Sequence, residues 1–188
     1  MYPELGKRLF DLVCASIAVV LLSPLLIIVA ISIKLTDPGP ILFSHNRIGR
    51  DGKPFRFYKF RSMPVGTPKV PSDSLGEVQI SPFGRFMRRT NIDELPQLIN
   101  ILKGDMSVVG PRPPLPDQEE LIARRRQNGA LALRPGLTGL AQIRAYDGMS
   151  VSEKAAFDAE YARSIGLARD IAIILRTMFY LFKPPPVY

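Results

Sequence analysis

The alternation of apolar and polar positions changes character once along this chain. From Leu12 to Ile33 run 22 residues without a charge, bracketed by Lys7, Arg8 and Asp11 before and Lys34 after. As one helix the run would be about 33 Å long at about 1.5 Å per residue, close to the roughly 30 Å of bilayer hydrocarbon. A membrane segment is predicted. A cleaved signal peptide would show a shorter apolar run and a small-residue cleavage site, and neither is present. Ser23-Pro24 interrupts the run. Pro24 lacks a donor and its ring clashes with the preceding turn, so a kink is expected, and the Ser23 hydroxyl can satisfy part of the freed backbone. Two geometries follow. A kinked span puts Lys7 and Lys34 on opposite faces of the bilayer; a re-entrant helix puts both on one face, which cations at both flanks mildly favour.

Beyond Thr36 the pattern breaks into short pieces. Thr36 to Pro40 reads as a helix-stopping turn. Ile41–Phe43 and Phe55–Phe60 read as strands joined through Arg50-Asp51-Gly52-Lys53, a hairpin signal. Residues 64–82 read as a Pro/Ser/Gly-rich loop placed to close on a substrate. Pro82–Arg89 sets Phe83, Phe86 and Met87 among Arg85, Arg88 and Arg89, the pattern of an interfacial helix. Leu95, Leu98, Ile99 and Leu102 recur at helical spacing and predict a buried face. Ile171, Ile174, Leu175, Met178, Phe179 and Phe182 form a last apolar face, over a helix of about 16 residues that is short for a span. Pro184, Pro185 and Pro186 end it. The expected architecture is α+β, mostly helical, with one small hairpin or sheet. It divides into a membrane helix at 1–36 and one integrated region at 37–188.

Charge narrows the partners. The net charge of +8 suits nucleic acid, an acidic membrane surface or a phosphorylated substrate. Nucleic acid leaves the apolar run unexplained, so no nucleic-acid partner is expected. One cysteine, Cys14, and one histidine, His45, exclude an internal disulfide, a Cys/His zinc site and, with Cys14 inside the apolar run, a Cys-His nucleophile pair. A hard cation held by carboxylates and phosphate oxygens remains open.

The remaining chemistry gathers around Asp93-Glu94, just before Pro96. Acidic residues at a helix N-terminus commonly offset the helix dipole, so the pair alone has a structural reading. Its surroundings add cations. Arg88 and Arg89 lie upstream. Gly110-Pro111-Arg112-Pro113-Pro114, a stiff segment able to aim Arg112 at a phosphate, lies downstream. Arg134-Pro135-Gly136-Leu137-Thr138-Gly139-Leu140, followed by Gln142, reads as a similar loop. Phe55 to Arg61 interleaves aromatic and basic residues, which suits a half-buried strand with solvated cations or a stacking surface. Arg124-Arg125-Arg126 reads as a solvated or membrane-facing run. A basic inner-membrane scaffold without catalysis explains the apolar run and the charge, but not this concentration of acids and cations.

Taken together, Asp93-Glu94-Leu95-Pro96-Gln97-Leu98, Asn100, Lys103-Gly104-Asp105-Met106-Ser107 and Gly110-Pro111-Arg112-Pro113 resemble the bacterial sugar transferases, the monotopic phosphoglycosyl transferases. Arg134-Pro135-Gly136, Thr138-Gly139 and Gln142 add a second block, and Tyr58-Lys59-Phe60-Arg61-Ser62-Met63 a third. Ser23-Pro24 matches the family's helix-breaking pair, and the length resembles the minimal catalytic core. The resemblance implies a re-entrant helix in the bacterial inner membrane, with both ends on the cytoplasmic face, and amphipathic helices at headgroup level. It implies transfer of a phosphosugar from a UDP-sugar to polyprenyl phosphate, releasing UMP, as the first membrane step of glycoconjugate assembly. Asp93 would be the nucleophile and a ligand of Mg²⁺. Glu94 would be base or orienter. Lys59, Arg88, Arg112, Pro111, Pro113 and Gln142 would bind substrate and phosphate. Cations, a divalent ion and a nearby helix N-terminus suit phosphoryl transfer, which is mostly positioning and charge stabilisation. Ile143-Arg144-Ala145-Tyr146-Asp147 departs from the Asn-Gly-Arg or Ser-Gly-Arg of many relatives, so the sugar is left open.

Overall fold

Lys7–Thr36 form one helix of 30 residues, α1, entered through a five-residue π-turn at Tyr2–Gly6. The computed structural model describes residues 2–67, 80–144 and 149–181. Most of the predicted loop at 64–82, the end of the divergent 143–147 segment, and Phe182 with the closing prolines lie outside the described residues. Pro24 sits inside α1. The Ser23 hydroxyl donates to the Val20 carbonyl at 2.8 Å. That carbonyl, four residues before Pro24, is the one the missing proline N–H leaves without its helical partner. The serine thus repairs what the proline breaks.

The two halves of α1 pack on the same body. Ala15, with Ala18, Val19 and Leu22, meets Phe57, Leu98, Ile101 and Met106. Val29 and Ile33, with Leu25, Leu26 and Ala30, meet Phe60, Met87 and Ile92. Its start is also tied by polar groups. Lys7 donates to Asp170 at 2.8 Å, and Arg8 donates to the Ile101 and Leu102 carbonyls. Asp11 accepts from the Ser107 hydroxyl and the Val108 N–H, both at 2.9 Å. The rest of the helix surface is apolar and exposed, from Leu9 through Ile17, Leu21 and Ile28 to Leu35. An exposed apolar surface of this extent on a folded chain marks a membrane or partner contact.

Strands β1 (Leu42–Ile48) and β2 (Pro54–Phe60) form an antiparallel hairpin, Leu42 opposite Phe60 and Ile48 opposite Pro54. Asp51 (φ 58°) and Gly52 (φ 80°) both take positive φ, as the Asp-Gly signal predicts. Strand β1 is longer than the predicted Ile41–Phe43, because Ser44, His45, Asn46 and Arg47 show no apolar alternation and join the strand through pairing with β2. Asn100 closes the free edge of β2: its amide donates to the Arg56 carbonyl at 2.6 Å and accepts from the Tyr58 N–H at 3.2 Å. It thereby acts as a short third strand.

Next come α2 (Pro82–Arg89), capped by the Ser81 hydroxyl, and α3 (Gln97–Lys103), ended by Gly104 at φ 93°. The buried side of α3 differs from prediction. Gln97, Leu98, Asn100 and Ile101 turn inward, while Ile99 is exposed. Polar Asn100 is drawn in because the edge of β2 supplies its partners. A second sheet pairs β3 (Ser107–Val109) with β4 (Gly136–Thr138) in parallel. Strand β4 lies inside what reads as a loop; three residues carry too little pattern to announce a strand. It is possible because Gly110, Gly136 and Gly139 approach so closely that a Cβ on any of them would strike backbone of this crossing.

Helices α4 (Glu119–Gln127), α5 (Leu140–Ile143), α6 (Val151–Ala162, opened by a Ser150–Glu153 capping box) and α7 (Leu167–Leu181) complete the fold. The architecture is α+β and mostly helical, as expected. In α7 the core side is Asp170 and Ile173; Ile171, Leu175, Met178 and Phe179 are exposed. Of the apolar face legible in the sequence, Ile174 packs on the core while Ile171, Leu175, Met178 and Phe179 look outward.

Candidate active site

Two elements converge on the acidic pair. Strand β2, stiffened by Asn100, presents Lys59. Helix α2 ends at Arg89, and Asn91, a left-handed residue (φ 55°), then turns the chain into a 3₁₀ turn at Ile92–Glu94. Ile92 anchors this turn in the core below α1. The pair thus occupies its own turn rather than the N-cap of α3, and α3, with seven residues, offers no helix end of consequence to an anion. Cations stand around the pair instead.

Lys59 donates to Glu94 Oε1 at 2.7 Å and stands 4.0 Å from Asp93 Oδ2. Arg112 grips Glu94 with both terminal nitrogens, at 2.7 Å to Oε1 and 3.3 Å to Oε2. Asp93 is buried, and its contact with Lys59 is the only polar contact it makes among the described residues. The two carboxyls are consequently pushed apart. Burial raises Asp93 to about 6 against the pull of Lys59, with Glu94 adding to the rise and Arg88 and Arg112 opposing it. Burial also opposes ionisation of Glu94, but Arg112 and Lys59 outweigh it and hold that carboxyl well below its usual range. Neighbouring acids driven in opposite directions mark separate roles.

The arginine is aimed by a segment whose carbonyls are held one after another. Pro111 O accepts from Gly136 N at 2.9 Å, and Arg112 O from Arg125 Nη1 at 2.8 Å. Pro113 O accepts from Arg47 Nη1 at 3.0 Å, and Pro114 O from Ile48 N at 3.0 Å. Pro111 and Pro113 are buried and stiffen the backbone of this turn, and Pro113 also lines the cavity beside it. Arg125 corrects the reading of 124–126 as a solvated run. It is 4% exposed, and its Nε and Nη2 reach Asp158 Oδ2 at 2.8 and 2.6 Å. Arg124 remains at the surface, bonded to Glu120. Arg47 and Asp158 are supporting residues that the motif reading passed over, while Asn100 and Arg125 appear in it without these roles. Only the shared carbonyl contacts reveal them.

A cavity of about 610 Å³ opens between this turn and α5–α7. Its lining includes Glu94, Arg112, Arg125, Gln142, Lys154 and Thr177, and its size is that of a small-molecule site. Gln142 Oε1 is buried without a hydrogen-bond partner among the described residues, an acceptor suited to a ligand N–H or O–H. Arg88 contributes at longer range, through its charge on Asp93.

For a divalent ion, no group of three or more His, Cys, Asp or Glu stands together among the described residues. Glu94 is committed to Lys59 and Arg112, which leaves Asp93 as one carboxylate. That donor set suits Mg²⁺, which commonly uses one or two carboxylates and completes its shell with substrate phosphates and water.

A carboxylate pair held among cations at a ligand-sized cavity, on a chain that carries a membrane-length apolar helix, is what a group-transfer enzyme at a membrane would need. Residues 2–184 match the description of the bacterial sugar transferases. The chain is 40% identical to a UDP-glucose:undecaprenyl-phosphate glucose-1-phosphate transferase of Caulobacter vibrioides, covering 98% of this chain and 73% of that one. It is 38% identical to the Escherichia coli protein of the same description, over 98% of this chain and 42% of that one. It is 37% identical to an undecaprenyl-phosphate galactose phosphotransferase of Salmonella typhimurium, over 97% and 41%. The chain belongs to the bacterial sugar transferase family and is, by that membership, a phosphoglycosyl transferase.

Proposed function

We propose that this chain moves a phosphosugar from a UDP-sugar to polyprenyl phosphate in two displacements at one phosphorus. In the first, an Asp93 carboxylate oxygen bonds the β-phosphorus, the bond from that phosphorus to the bridging oxygen breaks, and UMP leaves with the electron pair. In the second, an oxygen of the lipid phosphate bonds the same phosphorus and the bond to Asp93 breaks. This yields polyprenyl-diphosphate sugar and restores the carboxylate. The observation that carries this reading is the contrast within the pair: Asp93 is buried and lightly held, whereas Glu94 is fixed by two cations. A strongly depressed carboxyl is a poor base, so Glu94 is assigned the task of holding Lys59 and Arg112 beside the transferred phosphoryl group. Mg²⁺, when bound, would offset the charge of the diphosphate, with Asp93 as its protein ligand. Lys59, Arg88 and Arg112 supply the fixed positive charge such a transition state needs. The described relatives act with glucose and with galactose, so the sugar remains to be found by screening donors.

The test is UMP release by purified protein with Mg²⁺, polyprenyl phosphate and a panel of UDP-sugars. Release is expected with at least one donor, and Asp93→Asn should reduce it by about 10³-fold or more, as loss of a nucleophile does. Wild-type turnover by Asp93→Asn would exclude the covalent route. A scaffold would release nothing with any donor.

The membrane reading is re-entrant and monotopic, on the cytoplasmic face of the inner membrane as the first step of glycoconjugate assembly requires. Its support is that both halves of α1 pack on one charged body, which does not enter hydrocarbon. The exposed faces of α2 and α7 would lie in the interface. In a Cys14→Ser background, cysteines at the exposed Leu5 and Leu35 should both react with an impermeant thiol reagent from the cytoplasmic side. Labelling from opposite sides would sink this topology.

A further inference from the structure

A second cavity, of about 670 Å³, opens at the far end of α1 and is separate from the one lined by Glu94 and Arg112. Its apolar wall includes Ile33, Phe83 and Met87, and its polar wall includes Arg61, Ser62 and Arg85. Arg61 is 7% exposed. One terminal nitrogen, Nη2, is bonded to the Asp37 carbonyl and lies 3.3 Å from the Asp37 carboxylate. The other, Nη1, is buried and has no hydrogen-bond partner among the described residues. It lies against Gly39, where any side chain would collide with it. A buried guanidinium N–H without an acceptor is costly, and an anion in the cavity would satisfy it.

The position says which anion. Arg61 N continues the hairpin pairing, donating to the Ile41 carbonyl, so its side chain shares a face with Lys59 two residues earlier, roughly 7 Å along the strand. On α2, Met87 lines the cavity and the next residue is Arg88, whose charge reaches Asp93. Two elements therefore lead from this cavity to the reaction centre. On its other side the cavity meets the last turns of α1, where Ile31 and Leu35 are exposed and apolar. An occupant here needs an anionic head next to a long apolar chain.

We infer that this cavity seats the phosphate of the acceptor lipid, with Arg61 Nη1 and Arg85 as donors and the polyprenyl chain lying along the end of α1. The inference rests on the proposed transfer to polyprenyl phosphate. It adds that donor and acceptor enter by separate cavities, the donor by the one lined by Glu94 and Arg112 and the acceptor by the one lined by Arg61 and Arg85.

The ping-pong route allows a clean test, because exchange of label between UMP and UDP-sugar needs no lipid. Arg61→Gln and Arg85→Gln should each raise KM for polyprenyl phosphate about tenfold, the loss expected for one charge-assisted bond. The KM for UDP-sugar and the exchange rate should hold. Ile33→Trp, which fills the cavity without touching a charge, should raise the lipid KM as well and decides the matter if Arg61→Gln does not fold. Inorganic phosphate and phosphatidylglycerol should inhibit weakly relative to polyprenyl phosphate. An unchanged lipid KM in Arg85→Gln and Ile33→Trp would overturn the assignment. So would exchange falling in step with turnover, or inhibition by phosphatidylglycerol matching that by polyprenyl phosphate. Absence of exchange in the wild type with every donor would instead overturn the covalent transfer mechanism.

Discussion

Among the places where this protein buries an aspartate beside a cation, two treat it most differently. At the start of α1, Asp170 is fully buried and accepts from Tyr2, Lys7 and Tyr161 at 2.7 to 2.8 Å. At the reaction centre, Asp93 is nearly as buried but has one cation at 4.0 Å. The first carboxylate has spent its lone pairs on the fold; the second keeps them for something else. Burial of an acid is thus ambiguous by itself, and the count of its partners separates a structural acid from a reactive one.

That contrast predicts a double dissociation. Beside the loss of about 10³-fold in turnover for Asp93→Asn, the same variant should remain folded. Asp170→Asn should behave in the opposite sense. Taking from buried Lys7 the carboxylate at 2.8 Å and leaving it only Asp11 at 3.9 Å costs up to about 3–5 kcal/mol, read as a fall in urea midpoint in detergent. Protein that stays folded should retain turnover per active site. Equal stability losses in the two variants would remove the distinction.

The pH dependence of stability refines the same point. Asp93 sits near 6 in the fold, above the ordinary aspartate value of about 3.9 in an unfolded chain. A raised acid stabilises the fold while protonated, so its contribution is complete below about pH 4 and is lost as pH rises through 6. In metal-free buffer, wild type should therefore weaken relative to Asp93→Asn between pH 4 and 7, by at most about 3 kcal/mol at roughly 1.4 kcal/mol per unit. Parallel unfolding curves across that range would mean that Asp93 is not perturbed.

The sequence made some of this legible and hid the rest for physical reasons. The membrane-grade run, the Asp-Gly turn and the acidic pair are local signals, each written in a few adjacent residues. Ser23 answering Pro24 is local as well. By contrast, Asn100 looks like a polar residue on a helix until the edge of β2 stands beside it. Strand β4 is three residues long and exists because glycines let two backbones touch. The α7 stripe of Ile171, Leu175 and Met178 was visible, but its direction was not, since a core and a bilayer select the same residues. Arg125 was misjudged for a related reason. One arginine in a run of three looks solvated, and only Asp158, 33 residues away, shows otherwise.

Arg125 and Asp158 fall between the two kinds of buried acid, and they give the smallest predicted effect. The pair is buried like Asp170, yet its third bond goes to the Arg112 carbonyl, at the base of the residue that grips Glu94. Arg125→Lys keeps the charge opposite Asp158 but loses the planar fork that reaches Asp158 and the carbonyl together. Stability should fall by only about 1 kcal/mol, while kcat/KM for the UDP-sugar falls about tenfold because Arg112 is less firmly placed. Arg125→Met should cost much more stability, about 3–5 kcal/mol, by stranding Asp158. A merely structural pair would lower the stability of both variants and leave kcat/KM of the folded fraction where it was. Kinetic loss in Arg125→Lys out of proportion to its stability loss would place this pair, unlike Asp170, in service of the reaction.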